Sequence, residues 1–143
     1  ELLYPQFDNS ILDLFAGTGN ISYEFAARGA LSVVSVDKHQ ACTQFIKSTA
    51  TKLHFENIHT INQEALNYIR QTRQKYHIIF ADPPYDWTEF NLLPTLIFEN
   101  KLLLPDGFLI IEHPKTIEYK TYDKFYQHRK YGKVNFSIFA ENL

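Results

Sequence analysis

The stretch Ser10-Ile11-Leu12-Asp13-Leu14-Phe15-Ala16-Gly17-Thr18-Gly19-Asn20 decides the fold. Its first half is a short apolar run carrying one acid, which reads as a buried strand over residues 10–15. Its second half is a glycine turn that opens a helix running to about Arg28, with Gly29 as its stop. Gly17 and Gly19 let the backbone turn tightly and approach a ligand with no Cβ in the way. The helix start leaves free N–H groups beside that turn. Strand, glycine turn and helix in this order open an α/β sheet. In such sheets ligands bind beyond the carboxyl ends of the strands, where strand order reverses.

Working outward, short apolar runs alternate with helical stretches, which predicts a parallel sheet covered by helices. Residues 31–36 read as a β-branched second strand ending at Asp37. Residues 39–54 read as a helix with Phe45, Ile46, Thr49 and Leu53 inward. A short third strand covers 58–61, and a helix with Ala65, Leu66 and Ile69 inward covers 64–73. The fourth strand, 76–81, ends at Asp82. Pro83-Pro84 forces an irregular extended loop. Residues 89–99 form the next helix, with Pro94 marking its start or a kink. Leu102 to Leu104 continue its apolar face, Pro105-Asp106-Gly107 is a turn, and 108–112 is the fifth strand. Residues 119–131 and 134–140 pair as an antiparallel hairpin around Gly132. The predicted class is α/β: a doubly wound, mostly parallel, seven-stranded Rossmann-like sheet with a C-terminal antiparallel hairpin, as one domain over residues 1–143.

The chain has 143 residues, enough for one core. Hydrophobic residues make 45% and charged residues 21%, an ordinary globular balance. No apolar run approaches the roughly 20 residues of a membrane span. Glu1-Leu2-Leu3-Tyr4-Pro5 lacks the basic start and apolar stretch of a signal peptide. A cytoplasmic protein without membrane contact is expected. A lone cysteine, Cys42, excludes an internal disulfide and a thiolate zinc cluster. The histidines show no metal spacing, so no metal is expected. Cys42 reads as structural, and His113 as the end of a strand. The net charge of -2 is unevenly spread. Residues 115–133 hold six Lys or Arg against two acids, giving +4 and leaving -6 elsewhere. This basic quarter can face phosphates or be a solvated hairpin.

The nature of the ligand turns on two carboxylates. Asp37 ends the second strand, where an acid can accept both hydroxyls of a ribose. A dinucleotide site needs Gly-x-Gly-x-x-Gly, and Ser22 stands at the third glycine. The loop also begins with Asp13, an acid that would repel a pyrophosphate and suits a cationic ligand. S-adenosylmethionine has adenosine, an amino acid and a sulfonium, and no phosphate. Glu64 can set a carboxylate or a backbone N–H beside the adenine, or simply charge a helix start. Phe15 lines the pocket or sits in the core. Ala16, Gly17, Thr18, Gly19, Lys38 and Ala65 complete the expected cofactor set.

Asp82-Pro83-Pro84-Tyr85 sits at the mouth of the fourth strand, beside that cofactor. Asp82 can accept a hydrogen bond from an aromatic amine, and the Pro83 carbonyl can accept the second N–H. The prolines fix the direction of that carbonyl because φ is locked. Tyr85 offers a flat face for a base taken out of its stack. Two acceptors on its protons favour a more tetrahedral amine nitrogen and free its lone pair. Holding the atoms in line then does most of the work. Trp87 and Phe90 extend the stacking surface or pack the following helix.

These residues resemble the Asp/Asn-Pro-Pro-Tyr/Phe amino-methyltransferases. The combination of Asp13 to Gly19, Arg28-Gly29-Ala30, Val36-Asp37-Lys38, Asp82 to Tyr85, the strand ending at Glu112, and Lys130-Tyr131-Gly132-Lys133-Val134 is similar to the RsmD-type 16S ribosomal RNA guanine-N2 methyltransferase family. The resemblance implies the methyltransferase form of the Rossmann-like fold and S-adenosylmethionine as cofactor. It implies a guanine amino group in ribosomal RNA or the small-subunit particle as substrate, and a monomer. Catalysis would fall to Asp82, Pro83, Pro84 and Tyr85, and cofactor binding to Asp13 through Gly19, Asp37 and Glu64. Family members carry Asp where Glu64 stands, and a basic N-terminal arm that this stretch is expected to lack. The alternatives are a DNA adenine-N6 methyltransferase, a nucleotide-dependent oxidoreductase, and a non-catalytic nucleotide-binding module.

Overall fold

The computed structural model describes residues 9–142. Readings that fall on residues 1–8, the expected lack of a leader and of a basic arm among them, lie outside the described residues. The elements run β1 (Ser10–Leu14), α1 (Asn20–Ala27), β2 (Ser32–Asp37), α2 (Gln40–Lys52), β3 (Ile58–Asn62), α3 (Ala65–Gln71), β4 (Tyr76–Ala81), α4 (Leu92–Glu99), β5 (Leu103–His113), β6 (Phe125–Tyr131) and β7 (Val134–Ala140). One sheet has the order β3-β2-β1-β4-β5-β7-β6. Strands β1 to β5 pair in parallel, while β7 is antiparallel to both β5 and β6. The chain steps from β1 outward to β3, then returns to the other side of β1 with β4. The switch point therefore lies between β1 and β4, and their carboxyl ends open the site. This is the predicted architecture.

The inner strands are covered on both faces. Leu12, Leu14, Val34, Val36, Ile79, Ala81, Leu109 and Ile111 meet Leu66, Ile69, Leu93 and Ile97 of α3 and α4. On the opposite face Ile11 and Val33 meet Ala26 and Ala30 around α1. Two-sided burial is why these strands are continuous apolar runs in the sequence. Among the described residues, no helix is long and apolar enough to cross a membrane.

Four local readings are corrected. Phe45 and Leu53 face solvent, at 52% and 51% exposure; Thr43, Ile46 and Ala50 carry the buried stripe of α2 instead. Helix α4 starts at Leu92, not at Glu89, and Pro94 lies in its first turn, where a missing N–H costs nothing. Pro105 to Gly107 is not a turn before the fifth strand but lies inside β5. There Tyr76↔Leu103 is followed by Ile78↔Phe108, so β5 spends the extra residues on an irregularity. Gly107 is needed there, since a Cβ would sit 3.0 Å from the carbonyl oxygens of His77 and Leu104. Residues 119–124 form no strand, with turns and bends over 120–124, and β6 begins only at Phe125. Tyr119 is instead buried and donates its hydroxyl to the Phe90 carbonyl at 2.6 Å.

Candidate active site

The chain leaves β1 abruptly. Phe15 adopts φ 60, a left-handed conformation that costs a bulky residue roughly 1–2 kcal/mol. Gly17 and Gly19 follow at φ 57 and φ 93. The Ala16 N–H donates to the Val36 carbonyl at 3.0 Å, and the Gly19 N–H to the Ala16 carbonyl at 2.9 Å. A Cβ on Gly19 would lie 2.7 Å from the Tyr23 ring and 2.9 Å from Ile46, so only glycine fits. The left-handed Phe15 backbone accompanies a ring that meets Trp87 edge-on, with centroids 5.0 Å apart.

Asp37 joins this loop to the next. Its Oδ2 accepts from the Gly17 N–H at 2.9 Å, and its Oδ1 from the His39 N–H at 2.8 Å. The His39 ring lies 3.1 Å from the same Oδ1. A carboxylate has about four lone-pair sites, so capacity remains for ribose hydroxyls. Asp37, His39 and Cys42 also bring potential ligand atoms within 4.8 Å of one another, a grouping missed by a search for histidine spacing.

Asp13 takes a different place from the one expected. It is 2% exposed and does not line the cleft. Its Oδ2 accepts from the Ser22 hydroxyl at 2.6 Å. With that proton committed, the Ser35 hydroxyl must donate to Ser22 Oγ, also at 2.6 Å. Ser22 thus fills the position of a dinucleotide site's third glycine with a buried polar knot. Burial pushes the Asp13 carboxyl up to about 7; Ser22 opposes that shift, and Asp82 and Asp37 add to it.

A cleft of about 680 Å³ opens at the switch point, within the roughly 300–1,000 Å³ of small-molecule sites. Phe15, Gly17, Asp37 and Lys38 line one side, with Glu64 and Ala65 beside them. Asp82, Pro83, Pro84 and Tyr85 line the other. The structure therefore gathers ten of the predicted residues. Ala16, Thr18 and Gly19, like Asp13, shape the loop without facing the cleft. The Glu64 carboxylate is committed to capping α3, accepting from Leu66 N at 3.1 Å and Asn67 N at 3.0 Å.

In the Pro-Pro loop, the Pro84 carbonyl accepts from the Trp87 N–H at 3.0 Å. Among the described residues, the Pro83 carbonyl accepts no backbone N–H. Tyr85 is 58% exposed at the rim. Trp87 both lines the cleft and packs edge-on against Phe90 at 5.3 Å, while Phe90 is buried. Burial pushes the Asp82 carboxyl above its ordinary range.

Sequence reasoning missed Glu112 as a cleft residue. Ala81↔Ile111 is a register pair, so Asp82 and Glu112 are the next residues on adjacent strands. Burial, then the Asp82 charge, push Glu112 up. Only strand pairing reveals this neighbour. His113 turns away from the cleft: Nδ1 lies 2.8 Å from the Pro114 carbonyl and Nε2 2.7 Å from Ser137 Oγ. A carbonyl can only accept, so Nδ1 carries the proton and the Ser137 hydroxyl donates to Nε2. Burial lowers its pKa, which keeps it neutral.

Against known proteins, the model of the family described as conserved hypothetical protein 95 matches residues 1–140. YlbH of Bacillus subtilis, whose name proposes rRNA methyltransferase activity, is 32% identical over 123 residues, covering 82% of this chain and 67% of YlbH. Ribosomal RNA small subunit methyltransferase D of Buchnera aphidicola (strain Bp) is 29% identical over 106 residues, covering 74% of this chain and 54% of that protein. The matched stretch thus spans about half to two thirds of these relatives. A crystal structure from Haemophilus influenzae, of a protein proposed to be a methylase, superposes with a TM-score of 0.87 at 24% identity, covering 99% of this chain and 92% of that one. That likeness fixes the fold.

Proposed function

The chain belongs to the family described as conserved hypothetical protein 95, the RsmD-type family, and on that premise we propose that it is an rRNA methyltransferase acting with S-adenosylmethionine on the N2 amino group of a guanine in small-subunit ribosomal RNA. One observation carries the reading. Asp82, Pro83, Pro84 and Tyr85 share a single cleft with Asp37 and the Gly17 turn, at the switch point.

The residues fit that cofactor better than a dinucleotide. Asp37, Asp82 and Glu112 make the cleft acidic, with Asp13 buried behind it. A pyrophosphate would add charge of the same sign, whereas a sulfonium and an ammonium offset it. Asp37 faces the cleft with acceptor capacity left for ribose hydroxyls, and Phe15 and Ala65 give apolar walls. When bound, S-adenosylmethionine supplies an activated methyl group on a sulfonium that departs as a neutral thioether.

The chain's own residues position the amine. Asp82 accepts one N–H of the exocyclic group, and the Pro83 carbonyl accepts the other. Partial desolvation raises the Asp82 carboxyl above its ordinary range, which suits it to hold the amine and to take its proton afterwards. Tyr85 supports the base face. Trp87, wedged between Phe15 and Phe90, keeps the Pro-Pro loop against the glycine loop. Catalysis by position needs such rigidity, because effective concentration falls quickly with misplacement.

The test is to map modified guanines in small-subunit RNA from cells with and without the gene. Loss of one N2-methylguanine, restored by the wild-type gene and not by Asp82→Ala, is the expected result. An unchanged small-subunit map, with a methyl group appearing on DNA adenine instead, would overturn it.

A further inference from the structure

A row of side chains runs out of the cleft along the sheet. Glu112 of β5 pairs with Phe136 of β7, and Phe136 pairs with Arg129 of β6. Residues paired across strands share a sheet face, so Glu112, Phe136 and Arg129 lie in line. Tyr131 shares that face, two residues beyond Arg129. Its ring meets Phe136 at 6.1 Å, and its hydroxyl accepts from Arg129 Nη1 at 3.5 Å. Phe80, two residues before Asp82, lies 6.5 Å from Phe136 on the same side. Neighbouring strands are ~4.8 Å apart, so Arg129 stands roughly 10 Å from Glu112 at the cleft wall.

Several features mark this face as more than a solvated hairpin. Tyr131 is 59% exposed, though it is a large ring on an edge strand. Among the described residues, neither Arg129, Lys130 nor Lys133 is paired with a carboxylate. Lys124 is held by Glu141, so the free cations gather at the tip nearest the cleft. The tip is a two-residue turn with Gly132 at φ 60, which sets Tyr131 opposite Val134 and directs Lys133 outward at the carboxyl edge. Its charge is opposite to that of the cleft it adjoins.

We propose that this face of the β6–β7 hairpin, with Arg129 and Tyr131 at its centre and Lys133 at its tip, is a docking track for the single-stranded RNA that flanks the target base. Tyr131, backed by Phe136, stacks one flanking base, and Arg129 and Lys133 hold phosphates. Aromatic faces interleaved with unpaired cations are what a single strand uses without sequence reading. The proposal rests on the RNA methyltransferase reading above, but its test separates the two.

The probe is a fluorescein-labelled, mixed-sequence, single-stranded RNA dodecamer, with binding followed by anisotropy across a salt series. Tyr131→Ala should weaken binding about tenfold. Arg129→Glu should do the same and lower the log–log salt slope by about 1. Arg129→Ala should fall between wild type and Arg129→Glu. Lys47→Glu, the same charge change on the far side in α2, should leave affinity within twofold. Affinity for S-adenosylhomocysteine should stay at the wild-type value in each, which also reports that the variants fold. Equal RNA binding by wild type and the hairpin variants, or an equal loss with Lys47→Glu, would overturn the track. That includes the case in which the face docks a protein instead. Methyl transfer to small-subunit particles is measured alongside. Its absence in wild type with hairpin-dependent dodecamer binding would defeat the functional reading and leave the track standing.

Discussion

Asp13→Asn isolates the stability cost of the buried acid behind the cofactor loop. In the folded protein its carboxyl is pushed from the ordinary 3.8 to about 7, chiefly by burial. A raised acid pKa means that the folded state binds more protons than the unfolded state between those values. Stability therefore falls as pH rises through that window, and the loss is complete above about pH 7. At about 1.36 kcal/mol per pH unit, wild type loses about 3 kcal/mol between pH 4.5 and pH 8.5 through this one group. Asparagine has the same shape and can still accept from Ser22, but it does not titrate. Any fixed cost of its amide is the same at both pH values and cancels in the comparison.

The assay is urea unfolding of wild type and Asp13→Asn at pH 4.5 and 8.5, without ligand. The difference in unfolding free energy between the two proteins should move by about 3 kcal/mol in favour of the variant at the higher pH. In thermal melts this is a swing of roughly 10 °C for a domain of this size. Groups remote from Asp13 contribute equally in both proteins and drop out, while Asp82 and Asp37, whose charges only add to the dominant burial effect at Asp13, leave a smaller remainder. Parallel pH curves would refute the reasoning: Asp13 would then be ionised at an ordinary pKa inside the fold, solvated or paired in a way the Ser22–Ser35 knot does not provide.

Other outcomes follow from the same geometry. Asp82→Ala should abolish methyl transfer while S-adenosylhomocysteine affinity, read by calorimetry, stays within about tenfold, because the proposed function gives Asp82 the substrate amine rather than the cofactor; near wild-type turnover would remove it from the mechanism. Asp37→Ala should weaken cofactor binding by about 1–3 kcal/mol, since the Gly17 and His39 N–H groups lose their acceptor together with the ribose; unchanged affinity would show that Asp37 only ties the two loops. Gly19→Ala should lower the melting temperature well beyond Gly17→Ala, because a Cβ at Gly19 collides with Tyr23 and Ile46 while one at Gly17 meets nothing within 4 Å. The Gly17 change should cost only the left-handed backbone, about 1 kcal/mol; equal melting shifts would contradict this account.

The same contrast explains what could be read from residues alone. Strands β1, β2, β4 and β7 were legible to within a residue or so because two-sided burial or strict alternation writes itself into composition. The face of α2 was not, because Phe45 and Leu53 outweigh Thr43 and Ala50 in any hydrophobic pattern, yet close packing on a sheet favours the small residues. Tyr119 looked like part of a β-rich run. Its inward turn is set by one distant acceptor, the Phe90 carbonyl, which no local pattern contains. At the site, residues that follow directly from a strand end, such as Asp37 and Asp82, were visible. Glu112 was not, because its role depends on pairing β5 beside β4. Asp13 was recognised as unusual, but burial behind the loop rather than contact across the cleft accounts for it.

The two charged regions together constrain how a polymer can enter. A strand's phosphates are repelled from a cleft walled by Asp37, Asp82 and Glu112, because each of these carboxylates raises the cost of a further negative charge beside it. A neutral base at the end of its glycosidic bond meets no such barrier. The acids therefore admit the base and hold the backbone at the rim, where Tyr85 and the Arg129–Tyr131 face are exposed. On this reading the acidic cleft itself requires the target nucleotide to leave its stack, an unstacking that costs a few kcal/mol in a duplex and less in a loop. That difference favours single-stranded or looped RNA over duplex DNA without any base-specific contact. On the proposed function, the Asp82 to Tyr85 segment would select an amine, and the segregation of charge around it would select the form of nucleic acid that can present one.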